Sequence, residues 1–221
     1  FPDTASEESI RSTFKKIETH ESFKGLKAAL AIDSLKHSSK KPFMSETYNI
    51  LKGSIETYVG GAFVFAQEAI SLFFRHNGDT SLADGGKKKG TLIFSGTLGA
   101  LRCSAEYAAY GAGQSSVRQL AQTIARELSP KGVQCVHTIL NGGIVDAKAE
   151  EENDLKATIE GKKMHAEAIG KRISGSLSRN QQCGHTNWTS GLHKKNFRYL
   201  FKPSTIESGI AVSLYESDLN P

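Results

Sequence analysis

The chain has 221 residues, of which 38% are hydrophobic and 23% charged, with 21 glycines and five prolines, as suits one globular domain with a sizeable core. No stretch approaches ~18 consecutive apolar residues and no basic-then-apolar leader is present, so neither a membrane span nor secretion is expected. The net charge of +5 lies partly in GKKKG at 86–90 and partly in HKKNFRYLFK at 193–202; neither run joins a recognition fold, so they read as a solvated loop and a basic tail, with no nucleic-acid partner and no membrane partner expected.

Three cysteines, Cys103, Cys135 and Cys183, are an odd and sparse set, which points to free thiols in a reducing, cytoplasmic setting. The chain opens on Phe1, which suggests a processed, trimmed or partial polypeptide.

Thr4 stands three residues before Glu7, a capping-box spacing, and Ile10, Phe14 and Ile17 share one face of a helix predicted over about 5–20. Leu26–Ile32 reads as a short buried strand, although its alanines would suit a helix as well. From Ser45 to about His76, Leu51, Ile55, Val59, Ala62, Phe63, Ala66, Ile70 and Phe73 form a broad apolar helical stripe. The Gly60-Gly61 pair within it signals close packing. NGDTSLADGGKKKG is a loop, TLIFSG a strand ending at Gly96, and 107–128 a helix with Val117, Leu120, Ala121, Ile124 and Leu128 on one side. SPKG is a turn, VQCVHTIL a third strand, and GGIVDA leads to a charged helix near 147–172. This alternation predicts an α/β domain over 1–172, a parallel sheet covered by helices. Residues 173–221 form a divergent tail or lid, in which STIESGIAVSLYESD suits one last helix or strand.

In such sheets ligands bind at the carboxyl ends of the strands. One predicted strand ends at SGT, whose threonine is Thr97, and its loop leads to Tyr110; the next ends at Asn141, Gly142 and Gly143. Asp33, after the first strand, is either a pocket acid or an ordinary turn carboxylate. Cys183, His185 and His193 lack a fourth ligand at a recognised spacing, so no metal is expected. NWT at 187–189 fits a glycosylation acceptor that no secretion signal supports.

The segment GTLIFSGTLGALRCSAEYAAYGAGQSSVRQLAQTIARELSPKGVQCVHTILNGGIVDA resembles the centre of a short-chain dehydrogenase/reductase, and the resemblance covers roughly 3–147. It implies a Rossmann-like fold that lacks its first, glycine-rich βαβαβ half, since no G-x-G-x-x-G follows a strand. The absent first strand would lie beside Leu26–Ile32, leaving that strand an open apolar edge. GAGQSS at 111–116 is a near-miss that opens the Tyr110 helix.

The resemblance gives Tyr110 the role of exchanging a proton with the substrate oxygen, and Thr97 that of the serine which holds this oxygen. Gln114 occupies the lysine position, four residues on, where it can reach the cofactor ribose but cannot act as a fixed cation. Tyr58 replaces the family's asparagine ahead of Gly61-Ala62-Phe63, and Asp33-Ser34 stands where Asn-Ala-Gly is usual. Asp33, Asn141, Gly142 and Gly143 would line the cofactor, NADP or NAD, opposite a small-molecule carbonyl or alcohol. Helices 45–76 and 107–128 would pair across a two-fold axis in a homodimer. Three readings follow: an impaired oxidoreductase, a non-catalytic homodimeric binding or scaffold protein, and a fragment of a longer reductase.

Overall fold

A computed structural model of the chain describes residues 5–35, 39–141, 143–145, 163–177 and 208–216. The chain divides into two compact units, Phe1–Ile139 with Asn196–Pro221, and Leu140–Lys195.

In the first unit, helix α1 spans Glu7–Thr19. Its N-cap is Ser6, whose side chain accepts the Ser9 N–H at 3.3 Å, and Glu7 and Glu8 complement the positive end of the helix. The cap therefore lies two residues beyond the expected Thr4, which is outside the described residues. Strand β1 spans Leu26–Leu35, three residues longer than the apolar run suggests. Asp33 and Ser34 are thus strand residues rather than a turn.

The expected helix from Ser45 is divided. A 3-10 turn at Phe43–Ser45 precedes α2 (Tyr48–Ile55), a π turn (Glu56–Gly60) follows it, and α3 (Gly61–Asn77) completes the run. The π turn inserts one residue into the helical repeat, which rotates the faces on either side of it. Gly61 packs closely, since a Cβ there would meet Ala5 Cβ and the Ala5 carbonyl at 3.2 Å, whereas Gly60 faces open space. By length and composition Tyr48–Asn77 could cross a membrane, but 50% of its most apolar window is buried in the fold. Phe65, Ala69, Leu72 and Phe73 lie in the core cluster with Ile10 and Phe14, as in a core helix of an α/β domain.

Strand β2 (Gly90–Thr97), helix α4 (Ala108–Leu128) and strand β3 (Val133–Leu140) follow as the periodicity implies. Between them, Gly132 takes the left-handed φ of 86° that closes the turn before β3. β1 and β2 are parallel, with Leu30 opposite Thr91 and Asp33 opposite Phe94. β3 lies beside β2, and its contacts ascend with it: Thr91 to Gln134, then Phe94 to Thr138. Ala31, Leu92, Phe94, Val133 and Cys135 share the cluster that α1, α3 and α4 cover. Two of the three lysines of GKKKG serve the fold: Lys88 Nζ donates to Gln134 Oε1 at 2.9 Å, and Lys89 Nζ, buried, donates to the Asn77 carbonyl at 3.1 Å.

The expected open edge of β1 is covered. Strand β6 (Ser208–Glu216) returns from the tail and pairs antiparallel with β1 from Leu26↔Glu216 to Leu35↔Ser208, with one register shift between Ala28 and Leu30. The sheet order is β3-β2-β1-β6. The second unit contains a parallel pair, β4 (Gly143–Val145) and β5 (Lys163–His165), then helix α5 (Ala166–Leu177). The helix expected near 147–172 therefore gives way to a strand at 163–165 and continues to Leu177, while its first part lies outside the described residues.

The β1–β6 seam sets a first expectation. Of two neighbouring strand residues, one N–H must face β1, so Ala211→Pro/Val212→Pro removes a ladder bond whichever one it is. The loss of ~3 kcal/mol should lower the thermal midpoint by roughly 6–12 °C and promote aggregation, as read by calorimetry and light scattering.

Candidate active site

β2 and α4 bring the two expected hydroxyls together. Thr97 is the last residue of β2 and Tyr110 lies in the first turn of α4, and Thr97 Oγ1 is hydrogen-bonded to the Tyr110 hydroxyl. Thr97 Oγ1 also accepts the Gly99 N–H at 3.3 Å. A Cβ on Gly99 would stand 2.7 Å from Tyr110 Cε1, so only glycine lets the phenol lie against this loop. Gln114, 3% exposed, turns its side-chain oxygen to the Thr97 backbone and accepts that N–H at 3.3 Å. An i+4 spacing on α4 thus binds strand end and helix together, and the amide does so without charge.

The first turn of α4 is held from the α2 side. Glu46 Oε2 accepts the Ala109 N–H at 3.2 Å, next to Tyr110, and places a carboxylate at the positive end of α4. Ser54 Oγ donates to the Ala109 carbonyl at 2.9 Å. Tyr58, on the π turn, meets Tyr110 edge-on with centroids 5.9 Å apart, and Tyr107 meets it at the same distance. Tyr58 also presses on α4, where a Cβ at Gly113 would come within 2.9 Å of its ring. Gly111 approaches Cys103 as closely. The GAGQSS glycines therefore let side chains pack against α4, inside the helix and not in a phosphate loop. Glu46, Ser54 and Tyr107 escaped the sequence reading, because their partners lie up to 63 residues away or in a neighbouring ring.

Two titratable groups lie at the same end of the sheet, on the face that the helices cover, with β2 between them. Asp33, 5% exposed, shares its face with Phe94, and its Oδ1 has no hydrogen-bond partner among the described residues. Burial in this apolar surrounding pushes its carboxyl up to about 7. The ring of His137 lies over Gly96, where any side chain would collide with it, and Nε2 is buried without a hydrogen-bond partner among the described residues. Burial, then the positive charge of Arg118, push the imidazole down to about 4.

Asn141 and Gly143 are exposed and belong to the second unit, Gly143 opening β4. Gly142, Cys183, His185, His193 and the NWT tripeptide at 187–189 lie outside the described residues. Among the described residues no cluster of His, Cys, Asp or Glu could hold a metal ion.

A family model described as enoyl-(acyl carrier protein) reductase matches residues 2–175. The chain belongs to the short-chain dehydrogenase/reductase family. Solved structures share its α/β fold. A gluconate 5-dehydrogenase from Burkholderia cenocepacia J2315, in complex with NADP and tartrate, superposes with TM-score 0.53 at 13% identity over 65% of this chain and 50% of that one. A short-chain dehydrogenase from Rhodopseudomonas palustris gives 0.50 at 19% identity, over 74% of this chain and 70% of that one. A 4-hydroxyisoleucine dehydrogenase complexed with NADH and succinate gives 0.51 at 15%, over 72% and 69%. This chain thus spans half the length of the gluconate 5-dehydrogenase. No curated protein sequence matches it.

A nicotinamide dinucleotide fits the described residues only in part. The hydroxyl pair suits the reacting end, but the Gln114 oxygen is engaged with Thr97, and the β1 edge that would flank a phosphate-binding turn carries β6.

The two buried groups oppose each other in pH dependence. Asp33 has a raised folded pKa, so its neutral form stabilises the fold at low pH, and this contribution is lost as pH rises from 3.8 through about 7. His137 has a depressed one, so its contribution is present above 6.5 and lost as pH falls towards about 4. Asp33→Asn should raise stability at pH 7 by up to ~4 kcal/mol and leave a fold that weakens on acidification below 6.5. His137→Leu should leave the opposite trend, and urea unfolding across pH 4–8 distinguishes them.

Proposed function

We propose that the chain is a weakened oxidoreductase of its family, in which Tyr110 protonates the oxygen of a small-molecule carbonyl during its reduction to an alcohol. The observation that carries this reading is the hydroxyl pair of Thr97 and Tyr110 at the end of β2. Thr97 orients the substrate oxygen and Tyr110 supplies the proton, in a reducing, cytoplasmic setting. A bound nicotinamide dinucleotide, NADP or NAD, would supply or receive the hydride, with Gln114 and Asp33 as its candidate contacts in the first unit. With an amide where a lysine is usual, no ammonium at position 114 draws the phenol towards ionisation, so Tyr110 suits donation better than abstraction.

A second reading, a non-catalytic homodimeric binding protein, is favoured by one observation: β6 fills the β1 edge that the resemblance reserves for the glycine-rich first strand. Titration with NADPH and with NADH, followed by fluorescence, separates the two. Saturable binding supports the oxidoreductase; no binding by intact dimers supports the second reading and overturns the first. Within the first, Gln114→Lys should raise alcohol oxidation near neutrality by up to about tenfold for each unit by which the new ammonium lowers the phenol pKa. It should also cost stability, because the Thr97 N–H loses its acceptor. Unchanged activity in Gln114→Lys, with Tyr110→Phe equally active, would remove Tyr110 from the chemistry.

The dimer is proposed on the stripe that the monomer leaves incompletely covered. Leu51 and Phe63 are exposed, and Ile55 and Val59 are half-buried, at i+4 intervals along the α2–α3 run. Leu51→Glu/Phe63→Glu should convert a dimer to a monomer in light scattering after size exclusion. A parent chain that is already monomeric contradicts the proposal.

A further inference from the structure

The three most exposed large apolar side chains among the described residues gather at one turn, ahead of the Tyr110 helix. Phe43 is 73% exposed, Met44 91% and Tyr48 77%. They sit on a 3-10 turn preceded by Pro42 and on the first turn of α2. Such exposure means that the ring and the thioether project from the fold and lean on nothing. Side chains this exposed do not line a concave site of the kind that takes small molecules. The turn is also anchored at both ends: the Lys41 N–H donates to the Glu106 carbonyl at 2.9 Å, and Glu46 holds the Ala109 N–H.

The charges around it have one sign to spare. Lys40 and Lys41 precede it, Lys52 follows one turn after Tyr48, and Arg102 follows the exposed Leu101 on the loop that receives Lys41. The carboxylates are committed: Glu106 faces Lys40 at 3.4 Å, Glu56 faces Lys52 at 3.6 Å, and Glu46 caps α4. Lys41 and Arg102 have no ion pair among the described residues.

We propose that this turn docks the chain on an anionic lipid surface, with Phe43, Met44 and Tyr48 entering the headgroup boundary and Lys41 and Arg102 facing the lipid phosphates and carboxylates. A bilayer accepts exposed apolar side chains without a shaped pocket, and its negative surface complements Lys41 and Arg102. A second copy fits less well, because a two-fold contact sets the same surface against itself and opposes cation to cation. The burial of half of the apolar window of Tyr48–Asn77 in the fold argues against a span, and has no bearing on peripheral contact. The inference stands apart from the catalytic reading, as no residue of the turn takes part in the hydroxyl pair.

The test is co-sedimentation of the full chain with vesicles of phosphatidylcholine alone, and of phosphatidylcholine with about one third phosphatidylserine. Binding should require the anionic lipid and weaken as salt rises. Phe43→Ser/Met44→Ser and Lys41→Glu/Arg102→Glu should each weaken it at least about tenfold. These side chains are exposed, so circular dichroism and the unfolding midpoint should stay at the parent values. Equal binding to both vesicle types, no binding, or variants that bind as the parent does would overturn the proposal. So would a dimer in solution whose hydrogen exchange is protected at 42–48, which would assign the turn to a second copy.

Discussion

The architecture rests on the need of β1 to be hydrogen-bonded along both edges. Its apolar run is buried on both faces, and a buried strand with a bare edge leaves a row of N–H and C=O groups without partners. β2 satisfies one side in parallel register. On the other side the chain recruits β6 in the antiparallel sense, so the tail completes a sheet that the preceding βαβ units leave open. Where β2 has not yet begun, α3 substitutes for it: the Ala28 N–H donates to His76 Nδ1 at 2.8 Å, and Asn77 Nδ2 donates to the Lys89 carbonyl at 2.9 Å. His76 can accept only while neutral, and burial holds its pKa below the ordinary value.

With the sheet closed, the hydroxyl pair follows from local geometry. The end of β2 delivers Thr97, one helical turn delivers Tyr110 and Gln114 on a common face, and glycine at 99 and 113 removes the atoms that would hold α4 away. Gln114 shows how a site can keep its shape and lose its charge. Its oxygen ties α4 to the Thr97 backbone, so it has a structural reason to stay whatever becomes of the chemistry. Tyr58 fills the asparagine position with a ring that packs on both Tyr110 and Gly113. Both side chains hold α4 in place, Gln114 against the end of β2 and Tyr58 against the π turn.

Elements whose burial pattern is local were legible in the sequence. The 3.6-residue period of α4, the runs that form β2 and β3, and the thirteen-residue spacing of Thr97 and Tyr110 all appear within short windows. What escaped was non-local or contrary to residue type. Asp33 reads as a turn signal, yet pairing with Phe94 and Ile210 carries the strand through it. The π turn escaped because a wide apolar stripe tolerates a one-residue slip in phase. SGIAVSLYE suits helix and strand alike, and its partner lies more than 170 residues earlier, so only tertiary pairing decides.

Asp33 shows what that pairing costs. In a turn, its carboxylate would be solvated and ordinary. Drawn into β1, it must keep its proton or lose solvation under the helices, and no hydrogen-bond donor among the described residues reaches Oδ1. His137 carries the complementary burden two strands away, since burial of its ring over Gly96 disfavours the charged imidazolium. Neither neutralises the other: the acid is uncharged when protonated and the imidazole when deprotonated, so the carboxyl end of the sheet is least charged between about pH 4 and pH 7.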